Sequence, residues 1–445
     1  MKILIVGAGD IGFQLSKQLS QDKHDITMVE ADPQKVRRAR EQLDAIVIEG
    51  RGESLRGLKE ADIDHTDILA AMTDSDGVNL IACMYAKKLG VRGAIARVRN
   101  PELADEECIL ESDQLGADLI IHPERETANA IVRLLRQSSA TDIVEFADGK
   151  IELLGIRLEA DSPLLGIRLV DLARQYGNPP MRIVAITRYQ DTVIPKGDSK
   201  LHAGDQIFIV CDPDYVSEFL RISGKTNVRI ENIMILGGGL IGQFVASTLG
   251  KSANVKIIES SEAKSEEIAD ILPHTLIIHG DGTDIDLLAT EGIVDMDAFI
   301  AVTGHDETNI ITTLVAGHML VPRTIGLVNK VEYLPITTKI GMDAVVSKQL
   351  LTVNAVQQYI QRQVASIASL PGIQAQLIEY IASGESKITR KPLKDVRFPK
   401  HALVGAVLHN EELVIPKGDT RIQPGDKVVV FSMPDALEEV EKLFN

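Results

Sequence analysis

Apolar residues in this chain occur in short runs that are separated by longer amphipathic stretches. Between residues 1 and 123, each run is followed by a stretch of helical character. The runs are Ile3–Val6, Ile26–Val29, Ala45–Ile48, Ile68–Met72, Ala94–Val98 and Leu119–Pro123. Strands that alternate with helices in this way predict a doubly wound parallel sheet of the Rossmann-like α/β class.

The pattern changes further along the chain, where strand-like runs follow one another with few helices between them. These runs are Ile151–Leu158, Arg182–Arg188 and Gln206–Cys211, and a helix is predicted over Asp214–Ile222. Gly-Asp turns separate the runs, and such turns favour hairpins. The pattern therefore predicts a small α+β module after the first sheet.

The whole arrangement then recurs. The hexapeptide Gly7–Gly12 returns as Gly237–Gly242, and Thr73–Asn79 returns as Thr303–Asn309, in both cases 230 residues later. Motifs kept in the same order in both halves indicate a tandem duplication. The predicted Rossmann-like domains are 1–123 and 230–350, the predicted α+β modules are 141–224 and 366–445, and the predicted connecting helices cover about 124–137 and 349–363.

Both hexapeptides read GxGxxG, follow a predicted strand and precede a predicted helix, as nucleotide-binding turns do. The first Gly permits a tight turn, the second lets the backbone approach a pyrophosphate, and the third lets the helix pack on the strand. The helix start then offers free N–H groups to phosphate. The candidate phosphate-binding residues are Gly7, Ala8, Gly9, Asp10, Ile11 and Gly12 in the first half and Gly237, Gly239, Leu240, Ile241 and Gly242 in the second.

An acidic residue ends the second predicted strand of each half. Glu30 lies 23 residues after Gly7, and Glu259 lies 22 residues after Gly237. A carboxylate at this place accepts hydrogen bonds from ribose hydroxyls and repels a 2′-phosphate. The sequence therefore favours NAD or an adenine nucleotide of the ATP type over NADP. The alternative is a glycine-rich turn in a Rossmann fold that binds nothing.

The two halves differ near the ends of other strands. The first half has Arg97 and Arg99 after its fifth strand, and guanidinium groups suit nucleotide phosphates. The second half has Leu327 at the place of Arg97, which leaves its anion site less well equipped. Against this, Gly280 and Asp281 follow its third strand and are candidate ligand-binding residues there. A salt bridge is the alternative role for the two arginines. These differences make the first half the stronger candidate site.

Polar residues also mark the loop after the fourth predicted strand. Asp74 and Asp76 are interpreted as helix-capping residues rather than metal ligands, because Asp is a preferred capping residue. Asn79 and Asn309 begin the following helices and are expected to hold backbone ends. The sequence has no GxxxxGK[ST] loop, HExxH motif or close histidine pair, so it nominates no catalytic residue and no metal ligand.

The net charge and the cysteine content limit the binding partners and the cellular compartment that the sequence allows. The net charge of −17 argues against binding to nucleic acid or to an anionic membrane surface, but it permits docking onto the basic cytoplasmic loops of a membrane protein. Cys83, Cys108 and Cys211 are scattered, which fits reduced thiols in the cytosol. No apolar run is long enough for a membrane span or a signal-peptide core. We expect a soluble cytoplasmic protein.

These motifs together resemble the RCK family of potassium-conductance regulators, which combine KTN/TrkA-N and TrkA-C domains. Two units in one chain are similar to the tandem TrkA-type regulatory subunits of Trk potassium uptake systems, over essentially the whole sequence. The resemblance implies NAD(H) or ATP/ADP as regulatory ligands that are not turned over. It also implies a homo-oligomeric, tetrameric ring on the cytoplasmic face of the cell membrane, bound to a potassium-conducting TrkH- or TrkG-like subunit.

By position, the resemblance implies ligand contacts at Gly7, Gly9, Gly12, Glu30, Thr73 and Arg97 in the first half and at Gly237, Gly239, Gly242, Glu259 and Thr303 in the second. The first half departs from the family pattern DETN, because residues 76–79 read DGVN. An NAD-dependent oxidoreductase is the alternative function, since the fold alone does not fix function. A scaffold whose nucleotide sites have decayed is a third possibility.

Overall fold

A computed structural model describes residues 1–103, 114–177, 179–188, 191–225, 229–337, 339–360, 364–369 and 375–444. Cys108 and the predicted helical residues 361–363 lie outside these ranges. The chain divides into two compact units. The first comprises Met1–Glu126 and Lys348–Arg362, and the second comprises Thr127–Ser347 and Gln363–Asn445. No helix of the described residues is long and apolar enough to cross a membrane.

The first unit contains a six-stranded parallel sheet with helices between its strands. Its strands are β1 (Lys2–Val6), β2 (Asp25–Glu30), β3 (Ile46–Glu49), β4 (Ile68–Ala71), β5 (Gly93–Arg97) and β6 (Leu119–Ile121), and the helices between them are α1 (Asp10–Gln21), α2 (Pro33–Gln42), α3 (Leu55–Glu60) and α4 (Asp76–Lys88). Helix α5 (Pro123–Arg136) begins in this unit and continues into the second. The strand order is β3-β2-β1-β4-β5-β6. Both faces are apolar: Ile3 and Ile5 belong to one core cluster, and Leu4 and Val6 belong to the other.

A five-stranded antiparallel sheet follows in the second unit. It contains β7 (Asp142–Phe146), β8 (Ile151–Arg157), β9 (Met181–Arg188), β10 (Asp191–Val193) and β11 (Gln206–Cys211), with helices α6 (Leu169–Gln175) and α7 (Val216–Ile222). The strand order is β10-β9-β11-β8-β7. The sequence predicted three of these five strands. It missed β10, a partly exposed edge strand of three residues, and β7, in which only the two end residues are buried.

The second parallel sheet repeats the first. It contains β12 (Asn232–Leu236), β13 (Asn254–Glu259), β14 (Thr275–His279), β15 (Ala298–Ala301), β16 (Arg323–Leu327) and β17 (Ala344–Val346), with α8 (Leu240–Leu249), α9 (Glu262–Ile271), α10 (Ile285–Thr290), α11 (Asp306–His318), α12 (Leu334–Thr337) and α13 (Lys348–Ile360) in the sequence between and after the strands. The order β14-β13-β12-β15-β16-β17 is equivalent to that of the first sheet.

The second antiparallel sheet completes the described chain. It contains β18 (Val364–Ser369), β19 (Gln376–Ile381), β20 (Ala402–His409), β21 (Glu412–Val414) and β22 (Lys427–Ser432), followed by α14 (Leu437–Phe444). The order is β18-β19-β22-β20-β21. The predicted fold class, a tandem duplication of a Rossmann-like sheet and a small α+β module, is therefore confirmed.

The long helices that follow each parallel sheet are exchanged between the halves. Helix α13 follows the second sheet in sequence, but it packs against α1 and β6 of the first, where Val353, Val356 and Ile360 join the core. Conversely, most of α5, from Thr127 onward, belongs to the second unit. There the guanidinium Nη2 of Arg323 donates hydrogen bonds to the carbonyl oxygens of Leu134 (3.3 Å) and Ala140 (2.6 Å).

Candidate nucleotide sites

The first glycine turn joins β1 to α1 and has three different glycine environments. Gly7 has a φ of 101°, in the region that favours glycine. A β-carbon on Gly12 would lie 2.0 Å from the carbonyl oxygen of Gly7, so the helix packs directly on the turn. A β-carbon on Gly9 would meet no atom within 4 Å, which leaves this face of the turn open. The geometry therefore fits a phosphate group above Gly9.

The start of α1 also fits an anion. Helices α2, α3 and α4 are each capped by a side chain, from Asp32, Ser54 and Ser75 respectively. At Gly9, the residue before α1, no side chain caps the helix. The residue before α1 therefore offers its first N–H groups no side-chain acceptor, and together with the helix dipole these groups suit a phosphate. Among the predicted residues here, Ile11 contributes its buried side chain to the core, whereas Asp10 is exposed.

Glu30 lies at the end of β2, beside the turn, and its carboxylate is buried. Its Oε2 accepts a hydrogen bond from the backbone N–H of Ala8 at 2.5 Å, and its Oε1 accepts one from that of Asp32 at 2.8 Å. A carboxylate has about four acceptor positions. The two that remain fit the ribose hydroxyls predicted to bind here.

The second glycine turn has the same backbone geometry. Gly237 has a φ of 109°, a β-carbon on Gly242 would lie 2.2 Å from the Gly237 carbonyl oxygen, and Gly239 is open. No side chain caps α8 at Gly239. Ile241 is buried, whereas Leu240 is only partly buried. The turn thus meets the same geometric conditions as the first.

The carboxylate of Glu259 is more occupied than that of Glu30. It accepts hydrogen bonds from the backbone N–H of Gly238 and of Ser261, both at 3.0 Å, and from Lys264 Nζ at 2.9 Å. Burial would raise the pKa of Glu259, but Lys264 and the backbone donors outweigh it and lower this pKa. The ammonium group of Lys264 occupies an acceptor position that a ribose hydroxyl would need.

Gly280 and Asp281 lie at the end of β14. The backbone N–H of Gly280 donates to the carbonyl oxygen of Glu259 at 2.9 Å, so Gly280 is next to the second site. Asp281 is exposed, and its Oδ1 accepts hydrogen bonds from the backbone N–H (2.9 Å) and hydroxyl (2.8 Å) of Thr283. The Asp281 carboxylate therefore stabilises the turn in which it lies.

Threonine and asparagine hold the loop after the fourth strand in both halves. The Oδ1 of Asn79 accepts hydrogen bonds from the backbone N–H (2.9 Å) and hydroxyl (2.7 Å) of Thr73, and its Nδ2 donates to the carbonyl oxygen of Arg97 at 2.8 Å. Asn309 does the same for Thr303. The predicted role of these asparagines is confirmed. Thr73 also lies against Gly7, since a β-carbon there would be 2.9 Å from the Thr73 methyl group.

The capping role predicted for Asp74 and Asp76 is wrong. Ser75 caps α4 instead. The carboxylate of Asp74 accepts a hydrogen bond from Arg97 at 2.8 Å. Asp76 accepts hydrogen bonds from the backbone N–H groups of Arg99 (2.9 Å) and Asn100 (2.8 Å), so it fixes the loop after β5. The local motif predicted a role within one helix, but both carboxylates act on the neighbouring strand end.

Arg97 is buried and engaged in ion pairs, as the salt-bridge alternative predicted. Besides Asp74, its guanidinium faces Glu124, with Nη2 3.7 Å from Oε1. Glu124 in turn lies 3.2 Å from the Nζ of Lys348, the first residue of α13. The pKa of Glu124 is lowered overall, because Lys348 and Arg97 outweigh the effect of burial. Glu124 and Lys348 were not among the site residues predicted from the sequence. They are 224 residues apart, so no local motif indicates that they meet.

Two parallel sheets, each with an open glycine turn, an uncapped helix start and a strand-end carboxylate, define a protein of the Rossmann-type nucleotide-binding class. The chain matches the TrkA-N domain over residues 3–123 and 233–348 and the TrkA-C domain over residues 153–224 and 377–445. The chain belongs to the TrkA family.

Relatives match over the full length. The chain is 35% identical to Trk system potassium uptake protein TrkA homolog 2 of Methanosarcina mazei, with 100% of both sequences covered. It is 32% identical to Trk system potassium uptake protein TrkA of Azorhizobium caulinodans, with 100% of this chain and 98% of the relative covered. Both alignments therefore span both halves of this chain.

Solved structures share the fold. The GsuK RCK domain aligns with a TM-score of 0.64 and 18% identity, covering 100% of this chain and 94% of that one. The GsuK channel bound to NAD aligns with a TM-score of 0.62 and 18% identity, covering 100% and 78%. GsuK bound to ADP aligns with a TM-score of 0.52 and 20% identity, covering 81% and 69%.

Proposed function

We propose that this chain is a cytoplasmic regulatory subunit that binds NAD(H) or ATP/ADP and thereby gates a Trk-type potassium uptake channel or transporter. The observation that carries the proposal is the pairing of an open glycine turn with a buried strand-end carboxylate in both halves. Family membership supports the potassium role, because the full-length relatives are named as potassium uptake proteins. No hydride or phosphoryl transfer is required.

The ligand assignment rests on the site residues and on related folds. We assign the phosphate to the Gly7–Gly12 and Gly237–Gly242 turns and the ribose to Glu30 and Glu259. The GsuK structures with NAD and with ADP support both ligand classes, since that protein has the same fold. The first site is proposed as the tighter one, because Lys264 occupies part of the second carboxylate.

The partner is proposed to be a TrkH- or TrkG-like membrane subunit that conducts potassium. The chain would assemble on its cytoplasmic face as a homo-oligomeric ring, expected to be tetrameric. A ligand can switch such a ring only through different affinities for two arrangements, and coupling energies of about 1–3 kcal/mol are usual. Nucleotides that compete for one site can therefore have opposite effects while making similar contacts.

Calorimetric titration with NADH, NAD, ATP and ADP tests the nucleotide sites. The wild type is expected to bind at least one of these ligands, Glu30→Ala to lose the tighter binding event, and Glu259→Ala to retain it. Potassium flux into vesicles that contain the membrane subunit, measured with and without the bound nucleotide, tests gating. A wild type that binds none of the four ligands, or that oxidises NADH in the presence of a substrate, would contradict the proposal.

A further inference from the structure

Five charged side chains of the first unit gather at the carboxyl ends of β4, β5 and β6. We call Asp74, Arg97, Arg99, Glu124 and Lys348 the Glu124 cluster. The Glu124 side chain is only 4% exposed, and its Oε1 lies 3.2 Å from Lys348 Nζ, 3.7 Å from Arg97 Nη2 and 3.8 Å from Arg99 Nε. Among the residues that the structure describes, neither the buried Glu124 Oε2 nor the buried Arg97 Nε has a hydrogen-bond partner. Two strong polar groups at one place are thus left unsatisfied.

The strand order places the Glu124 cluster on the side of the glycine turn toward which the phosphates of the proposed nucleotide extend. In the order β3-β2-β1-β4-β5-β6, Glu30 ends β2 on one side of the glycine turn, and the Glu124 cluster lies on the other side. A nucleotide whose ribose binds Glu30 and whose first phosphate binds the turn after β1 directs its next phosphates toward β4 and β5. The cluster is therefore where the terminal phosphates of ADP or ATP would arrive.

The side chains of the Glu124 cluster interact with such a phosphate in opposite ways. Arg97, Arg99 and Lys348 attract a phosphate, whereas Asp74 and Glu124 repel it. Four of these five charges are absent at the equivalent positions of the second half: Gly304 replaces Asp74, Leu327 replaces Arg97, Asn329 replaces Arg99 and Gln349 replaces Glu124. The cluster is thus a property of the first site and not of the duplicated fold.

We propose that Lys348 is a phosphate-binding residue of the first site and that it couples occupancy of this site to the docking of α13. The proposal rests on nucleotide binding as proposed above. Lys348 is the first residue of α13, so it reaches the cluster only while that helix is docked. Without ligand, Glu124 holds it. A terminal phosphate adds a second anion beside Lys348 and therefore strengthens docking, and by linkage a docked α13 strengthens phosphate binding.

Calorimetry with ATP, ADP and AMP on the full chain tests this coupling. All proteins carry Glu259→Ala, so that the measured heat comes from the first site. Lys348→Met is expected to weaken ATP binding about tenfold, as expected for loss of one charge-assisted hydrogen bond, with a smaller effect on AMP.

Glu124→Gln is expected to tighten ATP binding, because it removes a competing anion. Glutamine is a compatible side chain, since Gln349 occupies the matching place in the second half. Lys59→Met, which removes an exposed ion pair with Asp64, is the control.

Hydrogen exchange gives an independent readout of α13. In the parent protein, ATP is expected to increase the protection of amides in the first turns of α13, and Lys348→Met is expected to abolish this increase. If Lys348→Met binds ATP as the parent does and α13 responds to ATP unchanged, the proposal is overturned while nucleotide binding stands. If the wild type binds none of the three nucleotides, the proposed function itself fails, and this inference fails with it.

Discussion

Gly12 and Gly7 approach so closely that a β-carbon on Gly12 would lie 2.0 Å from the Gly7 carbonyl oxygen, whereas the face above Gly9 is open. The two positions therefore have different physical roles within one motif. Gly12 serves the packing of α1 on the turn. Gly9 serves the approach of a ligand.

Gly12→Ala is expected to destabilise the protein, by about 1–3 kcal/mol or more, because overpacking forces the backbone apart. Gly9→Ala should leave the unfolding transition unchanged, since Gly9 has a φ of −66° that alanine adopts freely. It should still weaken nucleotide binding, because its methyl group fills the space above the turn. Thermal unfolding and calorimetry on both variants separate the two roles. Equal effects on stability would contradict this division.

Replacing Glu30 with glutamine is expected to weaken NADH or ATP binding by about 1–3 kcal/mol, the usual cost of losing a hydrogen bond to a charged group. Glutamine has a single acceptor oxygen, so it cannot accept from both Ala8 and Asp32 as the carboxylate does. Discrimination against NADPH should also shrink, because the negative charge that repels the 2′-phosphate is lost. Competition titrations with NADH and NADPH measure both changes. Unchanged discrimination would exclude Glu30 from the ribose site.

Asp142 on β7 predicts a pH dependence of stability. Burial raises its pKa to about 6, despite hydrogen bonds from Thr141 and Gln206 and the nearby charge of Arg323. Between about pH 4 and pH 6 the folded protein keeps a proton that the unfolded chain has lost, so stability falls as pH rises through this window and levels off above it. The contribution is about 3 kcal/mol at most, from the size of the shift.

Melting temperatures of wild type and Asp142→Asn across this range test the assignment. The variant should lack the decline, because asparagine cannot ionise, while Asp191→Asn, at an exposed position on β10, should behave as the wild type does. Parallel pH profiles for wild type and Asp142→Asn would show that this carboxyl does not titrate as inferred.

Cys83 and Cys211 are expected to be inert thiols. Both are fully buried. Burial raises the pKa of the Cys83 thiol to about 12, and it also raises the pKa of the Cys211 thiol well above its ordinary value. The thiolate is the reactive form, so both should be protected at neutral pH. In a Cys108→Ser variant, a thiol-reactive dye should label the folded protein far more slowly than the chain in denaturant. Rapid labelling of the folded variant would contradict the structure.

Local pattern explains which parts of the fold and site could be predicted. The strands of the parallel sheets and the two glycine turns follow from periodicity and from short motifs, which act within a few residues. Glu30 also lies at the distance of about twenty residues after the glycine turn that the motif predicts. The helix-cap prediction for Asp74 is wrong because the motif concerns one helix only, whereas the partner of Asp74 is Arg97 at the end of the next strand.

The Glu124 cluster could not be predicted in the same way. Glu124 and Lys348 are 224 residues apart and meet because a helix that follows the second sheet packs on the first. The residues next to each of them in sequence give no indication of this pairing. Contacts of this kind depend on tertiary topology, and a single sequence contains no direct signal for it.

The exchange of α5 and α13 has a consequence for how such a protein could arise. A polypeptide with one copy of the repeat would leave part of its sheet uncovered, and two such chains could complete each other only by meeting in solution. Covalent fusion makes that encounter intramolecular and independent of protein concentration. Once fused, the copies no longer have to be self-complementary. One copy can keep an anion such as Glu124 while the other has a neutral Gln349. A symmetric pair of sites thereby becomes two sites with different charges.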